Sequence, residues 1–393
     1  MGYYEDIFSV RPYLDRFDPY RVPSASYVID LRAVERNIKI LDTVQQATGA
    51  KVLLALKGVA NFSIFPLIKQ YLHGCCASSP HEARLAREEF GKEVHSYAPA
   101  YTEEDIGEHL RLSDHIVFNS FSQLEKYQGK ILNSKRKIDI GLRVNPGHSE
   151  TEVELYNPCA PGSRLGIPFE QFQGKDLSKV DGLHFHTLCQ KGSDALYRTA
   201  MAFDEKFGVF LKDLKWINFG GGHHITQADY DIDLLCKTIL HFKEKYDLDV
   251  YLEPGEAIGI NTGSLICSVV EIVKNESEIA ILDISATCHM PDVLEMPYRP
   301  DVRGAAEAGI KKYTYKLGGL SCLAGDVIGD YSFDEPLKVG DRIIFDDMTH
   351  YTMVKTTFFN GIKHPSIVTY DSSDDKIETV REFTYEDYRN KLS

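Results

Sequence analysis

Between residues 51 and 254, short apolar runs alternate with longer segments that have helical periodicity. A short apolar run bounded by turn residues is typical of a buried strand. Eight such runs occur in this part of the chain: Val52–Lys57, Cys75–Ser78, Val94–Ala98, His115–Asn119, Asp139–Val144, Gly182–Thr187, Trp216–Phe219 and Val250–Glu253. Most are followed by a segment of helical length, such as His81–Phe90 or Ala195–Leu214. Eight β-then-α units over about two hundred residues predict a (β/α)8 barrel, with an open doubly wound sheet as the alternative.

After Pro254 the pattern changes to strand-like segments separated by turn residues, with little helical periodicity. The predicted strands in this part are Ser264–Val273, Ile279–Ile284, Lys312–Leu317, Asp341–Phe345 and Thr352–Phe359. An earlier strand, Ser26–Ile29, precedes the barrel and is expected to join them. The sequence therefore predicts a barrel over residues 31–263. It also predicts a β-rich domain, a sandwich or barrel, formed by residues 1–30 and 264–393.

Composition narrows the class of protein. Hydrophobic residues make up 43% and charged residues 26% of the 393 residues, which is ordinary for a globular protein. The formal charge of −14 and the lack of a long basic run argue against nucleic-acid binding. No apolar segment is long enough to span a membrane, and the N-terminus does not resemble a signal peptide. The eight cysteines form no C-x-x-C pair, so a reducing cytoplasm is expected.

Polar residues occur where the predicted barrel strands end. Lys57 ends the first strand, Arg143 lies late in the fifth and His186 lies at the end of the sixth. Gly220, Gly221 and Gly222 directly follow the seventh strand, and Glu253 ends the eighth. Since barrel active sites lie at the carboxyl ends of the strands, these residues are expected to meet there.

The residue types at these strand ends meet the needs of pyridoxal phosphate. A desolvated lysine loses its proton readily and can form an imine, although a snorkelling lysine that caps a strand is the plain alternative for Lys57. Three glycines allow backbone N–H groups to approach a phosphate, although a glycine triplet is more often a simple turn. A carboxylate such as Glu253 could keep the ring nitrogen protonated.

A metal site is the competing interpretation of the sixth strand. His184 and His186 share one face of that strand, and this spacing can bind a metal ion, as in a barrel hydrolase. His223 and His224 could add ligands, but the other strand ends offer lysine, arginine and glycine. For His184 alone, a core histidine with satisfied hydrogen bonds is the expected role.

The chain resembles the pyridoxal-phosphate decarboxylases of the alanine racemase-like fold over nearly its whole length. This group includes ornithine, diaminopimelate and carboxynorspermidine decarboxylases. The segments that carry the resemblance are Ala55–Lys57, Leu183–His186, Phe219–Gly222, Leu252–Gly255, Ser321–Asp326 and Tyr351 with Phe359–Gly361.

The resemblance implies a role for each of these residues. Lys57 would carry the cofactor, His186 would stack on its ring, and Glu253 would face the ring nitrogen. Gly220–Gly222 and Tyr351 would hold the phosphate. Arg143 is expected to join the cofactor-binding residues because of its place late in the fifth strand, not because of the resemblance. Cys322 would reach the active site of a partner subunit and protonate the carbanion left by CO2, which implies a homodimer with shared active sites. By composition alone, a buried structural cysteine is the more probable interpretation of Cys322.

Differences within the family point to a subfamily. Glu256 stands where the ornithine and diaminopimelate enzymes usually have arginine, and Leu323 stands where they carry an acidic residue. The segment His289–Tyr298 resembles carboxynorspermidine decarboxylase more than either of those relatives. This implies a substrate with a cationic tail, carboxynorspermidine or carboxyspermidine, for which the candidate binding residues are Glu256, Asp292, Glu295 and Asp326. The alternatives are a diaminopimelate or ornithine decarboxylase and a non-catalytic pyridoxal-phosphate carrier.

Overall fold

The computed structural model describes residues 17–393. The described part of the chain divides into two compact units. Unit one comprises Arg36–Ile258, and unit two comprises residues 17–35 together with Gly259–Ser393. Residues 1–16, which the sequence assigns to the β-rich domain, lie outside the described residues.

The strands, numbered in chain order, are β1 Ser26–Asp30, β2 Lys51–Ala55, β3 Gly74–Ala77, β4 Glu93–Tyr97, β5 His115–Phe118, β6 Asp139–Asn145, β7 Ile167–Pro168, β8 Gly182–His184, β9 Trp216–Asn218, β10 Asp249–Leu252, β11 Gly263–Asn275, β12 Ser277–Leu282, β13 Ala306–Glu307, β14 Tyr313–Gly318, β15 Val327–Phe333, β16 Arg342–Asp346, β17 Ser366–Asp371 and β18 Lys376–Arg381. The helices are α1 Leu31–Thr48, α2 Phe65–Ile68, α3 Pro80–Leu85, α4 Glu103–Leu112, α5 Phe121–Leu132, α6 Phe169–Phe172, α7 Ser193–Phe207, α8 Ile232–Tyr246, α9 Glu256–Gly259, α10 Ala286–His289, α11 Asp292–Glu295, α12 Tyr351–Val354 and α13 Tyr385–Leu392. Among residues 17–393, no helix combines the length and apolar character needed to cross a bilayer.

Unit one is a closed parallel barrel. Its eight strands follow the order β2, β3, β4, β5, β6, β8, β9 and β10, and β10 pairs with β2 to close the ring. The short strand β7 pairs with β6 outside this ring. The predicted (β/α)8 barrel is confirmed, and the β2–β10 pairing rules out an open sheet.

The chain's single tryptophan fills part of the barrel interior. Trp216, at the start of β9, is almost fully buried and packs with side chains from β2, β5 and β10. A Cβ atom on Gly182 would lie 2.0 Å from the indole ring, and one on Gly141 would lie 2.4 Å from it. Glycine at these two strand positions therefore makes room for the indole, and the strands can close around it.

Unit two is built around a mixed sheet. The long strand β11 pairs antiparallel with β1, β12 and β16, whereas β1–β17 and β12–β14 are parallel pairs. β1 forms from the predicted strand Ser26–Ile29, and it joins this sheet as expected. The predicted β-rich domain is confirmed.

One predicted element of unit two is wrong. Thr352–Phe359 was expected to be a strand because this part of the chain shows little helical periodicity, but α12 is a single helical turn and the segment after it is irregular. The backbone N–H of Lys355 closes this turn on Tyr351, while its side chain pairs with Asp292 and Glu295. Long-range contacts of this kind override a local strand preference.

Candidate active site

The predicted site residues of unit one meet at one rim of the barrel. Lys57 follows β2, Arg143 lies within β6, and His186 follows β8. Gly220–Gly222 come after β9, and Glu253 directly follows β10. All of these strands are parallel, so their carboxyl ends lie on the same side of the barrel.

Lys57 lies at a turn that ends β2. The turn is fixed by the backbone N–H of Gly58, which donates to the carbonyl of Ala55, and by that of Leu56, which donates to Cys76. The Lys57 side chain is exposed to solvent, although protein atoms surround much of it. Burial in this low-dielectric surrounding, followed by the charge of Arg143, lowers the pKa of Lys57. A larger neutral fraction makes its amine a better nucleophile.

His186 has a fixed ring orientation. Its Nδ1 atom accepts a hydrogen bond of 2.9 Å from the backbone N–H of Gly221, so the neutral ring carries its proton on Nε2. Burial, followed by the charges of Lys57 and Arg143, lowers the pKa of His186 well below its ordinary value. Arg143 donates to the carbonyl of His186 at 2.9 Å, and its guanidinium lies 4.6 Å from the ring centre of Tyr97. The end of β8 therefore presents a neutral, oriented imidazole.

Glu253 is a half-buried carboxylate with a neutral hydrogen-bond donor. The side-chain amide of Asn218 donates to its Oε1 atom at 2.7 Å, and the Nε2 atom of His184 lies 3.5 Å from Oε2. Burial raises the pKa of Glu253. Sequence reasoning did not identify Asn218, although a polar residue in the apolar run Trp216–Phe219 was a visible signal.

The glycine triplet is required by close packing. Gly220 and Gly222 adopt left-handed backbone conformations, with φ of 69° and 84°. A Cβ atom on Gly221 would lie 2.2 Å from the carbonyl oxygen of Glu253, and one on Gly222 would lie 1.9 Å from that of Leu188. The loop after β9 can therefore lie against β8 and β10 only with glycine in these positions.

The competing metal interpretation has partial geometric support. Ligand atoms of His184, His186 and Glu253 lie within 4.8 Å of one another. However, the Nδ1 atom of His186 and an oxygen of Glu253 already accept hydrogen bonds from the protein. His184 is buried, as expected of a core histidine, but the expectation of satisfied hydrogen bonds is wrong, because within residues 17–393 neither of its ring nitrogens has a hydrogen-bond partner.

A second polar cluster lies at the opposite ends of the barrel strands. Glu93 begins β4, and its carboxylate lies 2.9 Å from the Nε2 atoms of His95 and His115 and 2.7 Å from that of His73. The rings of His95 and His115 are stacked, with centroids 3.8 Å apart and planes 15° from parallel. Both Nε2 atoms approach the same oxygen of Glu93, and the ligand atoms of Glu93, His95 and His115 lie within 4.8 Å of one another.

Of the candidate substrate-binding residues, Glu256 belongs to unit one. It begins α9, and one carboxylate oxygen accepts a hydrogen bond of 2.8 Å from the side-chain amide of Gln190. The Nε2 atom of His224 lies 3.3 Å from the other oxygen. Glu256 is therefore a half-buried carboxylate with a defined orientation.

Three further candidate acids lie in unit two. Asp292 and Glu295 both pair with the ammonium group of Lys355. Asp326 is buried and accepts hydrogen bonds from the backbone N–H groups of Ala286 at 2.7 Å and Ser321 at 3.0 Å. These contacts give Asp326 a structural task, which is to hold the loop that carries the predicted cysteine.

The two other predicted residues of unit two are placed in loops or short elements. Cys322 is exposed, and its backbone N–H donates to the side chain of Asn360 at 2.7 Å. An exposed thiol contradicts the buried structural role that composition favoured. Tyr351 begins the single turn of α12 and is half-buried.

Known proteins resemble this chain over almost its full length. A family profile described as the pyridoxal-dependent decarboxylase, C-terminal sheet domain, matches residues 26–349. A carboxynorspermidine/carboxyspermidine decarboxylase of Campylobacter jejuni is 45% identical over 379 residues, which cover 94% of this chain and 98% of the relative. A carboxyaminopropylagmatine decarboxylase of Synechocystis is 46% identical over 373 residues, which cover 94% and 96%.

Solved structures agree with these similarities. A crystal structure of carboxynorspermidine decarboxylase from Campylobacter jejuni, complexed with norspermidine, matches with a TM-score of 0.87 and 43% identity. The match covers 94% of this chain and all of that one. A diaminopimelate decarboxylase of Helicobacter pylori has a TM-score of 0.80 at 18% identity, which shows a common fold only.

Proposed function

Because this chain belongs to the family of pyridoxal-dependent decarboxylases, we propose that it decarboxylates carboxynorspermidine and carboxyspermidine. The products would be norspermidine and spermidine, which places this carboxy-lyase in polyamine biosynthesis. The observation that carries the proposal is the set of strand-end groups at one barrel rim, together with 45% identity to a relative of this activity. A cytoplasmic location stays a prediction.

The residues of the rim fit pyridoxal phosphate in their chemistry. Lys57 has a lowered pKa and is accessible to a ligand, as an attachment residue requires. The backbone N–H groups of Gly220 and Gly221 already donate within the protein, so Gly222 is the residue of the triplet that would donate to the phosphate. The phosphate contact of Tyr351 stays a prediction. When bound, the cofactor supplies an electron-accepting ring that takes up the electron pair left by departing CO2.

The other rim residues would orient the ring and maintain its charge. Glu253 would face the ring nitrogen as an anion and hold a proton there. His186, whose ring is fixed by Gly221, would lie against the ring face, and Arg143 supports the end of the strand that carries His186. Together these groups would set the plane of the ring, against which the bond to the leaving carboxylate must be aligned.

We assign to Cys322 the proton that replaces the carboxylate on the α-carbon. Its thiol is exposed, so it is accessible to a second chain. The family resemblance implies that this cysteine acts in the active site of a neighbouring subunit. The proposal therefore includes a homodimer with shared active sites.

The cationic tail of the substrate would be bound by acidic side chains. Glu256 is the candidate on the barrel, where Gln190 and His224 orient its carboxylate. Asp292 and Glu295 already bind one ammonium group, that of Lys355, and a substrate ammonium has the same chemistry. Asp326 is the weakest candidate because backbone N–H groups occupy its oxygens.

Carboxyaminopropylagmatine is the second candidate substrate, favoured by the relative that is 46% identical. Its tail ends in a planar guanidinium, which binds carboxylates through two parallel hydrogen bonds, whereas an ammonium is a compact point charge. The experiment that tests the function is CO2 release by the protein loaded with pyridoxal phosphate. The panel contains carboxynorspermidine, carboxyspermidine, carboxyaminopropylagmatine, meso-diaminopimelate and ornithine.

We expect release from the carboxylated triamines and none from diaminopimelate or ornithine. Faster release from carboxyaminopropylagmatine would assign the guanidinium substrate instead. Release from diaminopimelate or ornithine would show that Glu256 and Leu323 do not mark the subfamily. A lack of release from the whole panel, with cofactor bound, would favour a carrier.

A further inference from the structure

Asn218 connects Glu253 and the glycine loop, two parts of the barrel rim to which the proposed function gives separate roles. Its side chain is fully buried at the end of β9. The Nδ2 atom donates to Oε1 of Glu253 at 2.7 Å, and the Oδ1 atom accepts from the backbone N–H of Gly220 at 2.8 Å. One amide therefore contacts both the carboxylate and the start of the glycine loop.

The orientation of this amide follows from its partners. A backbone N–H can only donate, so the atom of Asn218 that faces Gly220 must be the acceptor Oδ1. The donor Nδ2 must then face Glu253. A donor directed at a carboxylate stabilises its charged form, so Asn218 favours ionised Glu253.

Other groups around Glu253 either raise or lower its pKa. Burial favours the neutral acid and is the strongest influence on this carboxyl. Asn218 opposes it, followed by the charges of Arg143 and Lys57 and by the thiol of Cys76. His184 lies 3.5 Å from Oε2, and burial lowers the pKa of its imidazole well below the ordinary value. Among these groups, Asn218 makes the short direct hydrogen bond, at 2.7 Å.

We propose that Asn218 is a positioning residue that keeps Glu253 ionised and ties its orientation to the glycine loop. The inference rests on the proposed function because it takes Glu253 as the partner of the ring nitrogen. It goes further by assigning the charge of Glu253 to a neutral neighbour on the adjacent strand.

Two substitutions separate the two hydrogen bonds. Asn218→Asp is nearly isosteric and keeps an acceptor for Gly220, but it replaces the donor to Glu253 by a second carboxylate. Asn218→Leu removes both hydrogen bonds. Asn133→Asp, at an exposed position after α5, is the matched control because it adds the same charge away from the site.

The measurement is an infrared titration of the protonated carboxyl band in the full-length protein, with and without pyridoxal phosphate. The band of Glu253 is assigned by its loss in Glu253→Gln. We expect its midpoint to rise by about one pH unit or more in both Asn218 variants, a tenfold change in the protonation equilibrium, and to stay in place in Asn133→Asp. The acid limb of the kcat/KM profile should shift in the same direction.

An unchanged midpoint in Asn218→Asp would overturn the proposal, and this variant decides the matter if Asn218→Leu does not fold. The infrared titration needs no turnover, so the two proposals can fail separately. A shifted midpoint in a protein that decarboxylates nothing would support the role of Asn218 and remove the proposed function. Normal decarboxylation by the wild-type protein, together with an unshifted midpoint in the variants, would support the proposed function and remove the role of Asn218.

Discussion

The backbone N–H of Gly221 donates a 2.9 Å hydrogen bond to the Nδ1 atom of His186. This contact joins the end of β8 to the loop after β9 and fixes the proton of the neutral imidazole on Nε2. The loop also lies so close to β10 that a Cβ atom on Gly221 would be 2.2 Å from the carbonyl oxygen of Glu253. Three strand ends therefore depend on one another, and a change in one should disturb the others.

A side chain in the glycine loop should weaken cofactor binding. In Gly222→Ala the new Cβ atom would lie 1.9 Å from the carbonyl oxygen of Leu188, so the loop must move. We expect the Kd for pyridoxal phosphate, measured by absorbance titration, to rise by about tenfold or more, which corresponds to about 1.4 kcal/mol. Gly162→Ala is the control, since Gly162 also has positive φ but open space around it. Equal effects of both substitutions would attribute the loss to backbone strain alone.

Loss of the Cys322 thiol should slow turnover without unfolding the protein. The side chain is exposed, so Cys322→Ala removes little packing. A proton donor placed at the reacting carbon contributes about a hundredfold or more, and kcat for CO2 release should fall by that factor while cofactor affinity is unchanged. Cys236→Ala, a half-buried thiol on α8, should retain wild-type kcat. Full activity of Cys322→Ala would assign the proton to another group.

Neutralising Glu256 should weaken substrate binding more than chemistry. Glu256→Gln keeps the shape of the side chain but removes the charge that would attract the cationic tail. A hydrogen bond to a charged group contributes about 1.5–3 kcal/mol, so KM and the inhibition constant of norspermidine should rise by about tenfold or more. Glu244→Gln, an exposed acid on α8, is the charge-matched control. A lower kcat with unchanged KM would contradict a tail-binding role.

The histidine cluster at the other end of the barrel should make stability dependent on pH. Burial lowers the pKa of His95 to about 3, whereas an unfolded histidine titrates near 6.5. Between about pH 6.5 and 3 the unfolded chain therefore binds more protons than the folded one, and the free energy of unfolding should fall as pH falls. The slope from one such group is at most about 1.4 kcal/mol per pH unit.

Urea unfolding at a series of pH values measures this slope. His95→Gln should reduce the slope by an amount that corresponds to at most one bound proton. His241→Gln, at an exposed position, should leave the slope unchanged. Equal slopes in all three proteins would show that His95 does not carry the effect.

The barrel and its rim could be predicted because their signals are local. Each barrel strand is a short apolar run, and polar residues such as Lys57 and Glu253 stand out at the ends of such runs. Parallel strands bring their carboxyl ends together, so residues distant in sequence could be assigned to one site from their positions at strand ends. For Cys322 the flanking glycines and the following aspartate allowed a thiol acid but favoured a structural cysteine, so its assigned role came from the family resemblance, as did that of Tyr351.

The features that could not be predicted depend on contacts between residues that are distant in the sequence. Asp326 was a candidate for substrate, but backbone N–H groups of Ala286 and Ser321 occupy it. The segment Thr352–Phe359, predicted as a strand, begins with a helical turn instead. Lys355, directly after this turn, pairs with residues some sixty positions earlier. Asn218 and His184 likewise gain their significance only from their distances to Glu253.

The most direct measurement compares CO2 release from carboxynorspermidine by the wild-type protein and by Lys57→Met, each supplied with pyridoxal phosphate. Methionine keeps most of the apolar stem of lysine but is one atom shorter and lacks the amine. We predict that the wild-type protein releases one CO2 for each norspermidine formed, and that Lys57→Met releases none above background. Wild-type activity in Lys57→Met, or no release by wild-type protein with the cofactor bound, would contradict the assignment of this barrel rim as the site of decarboxylation.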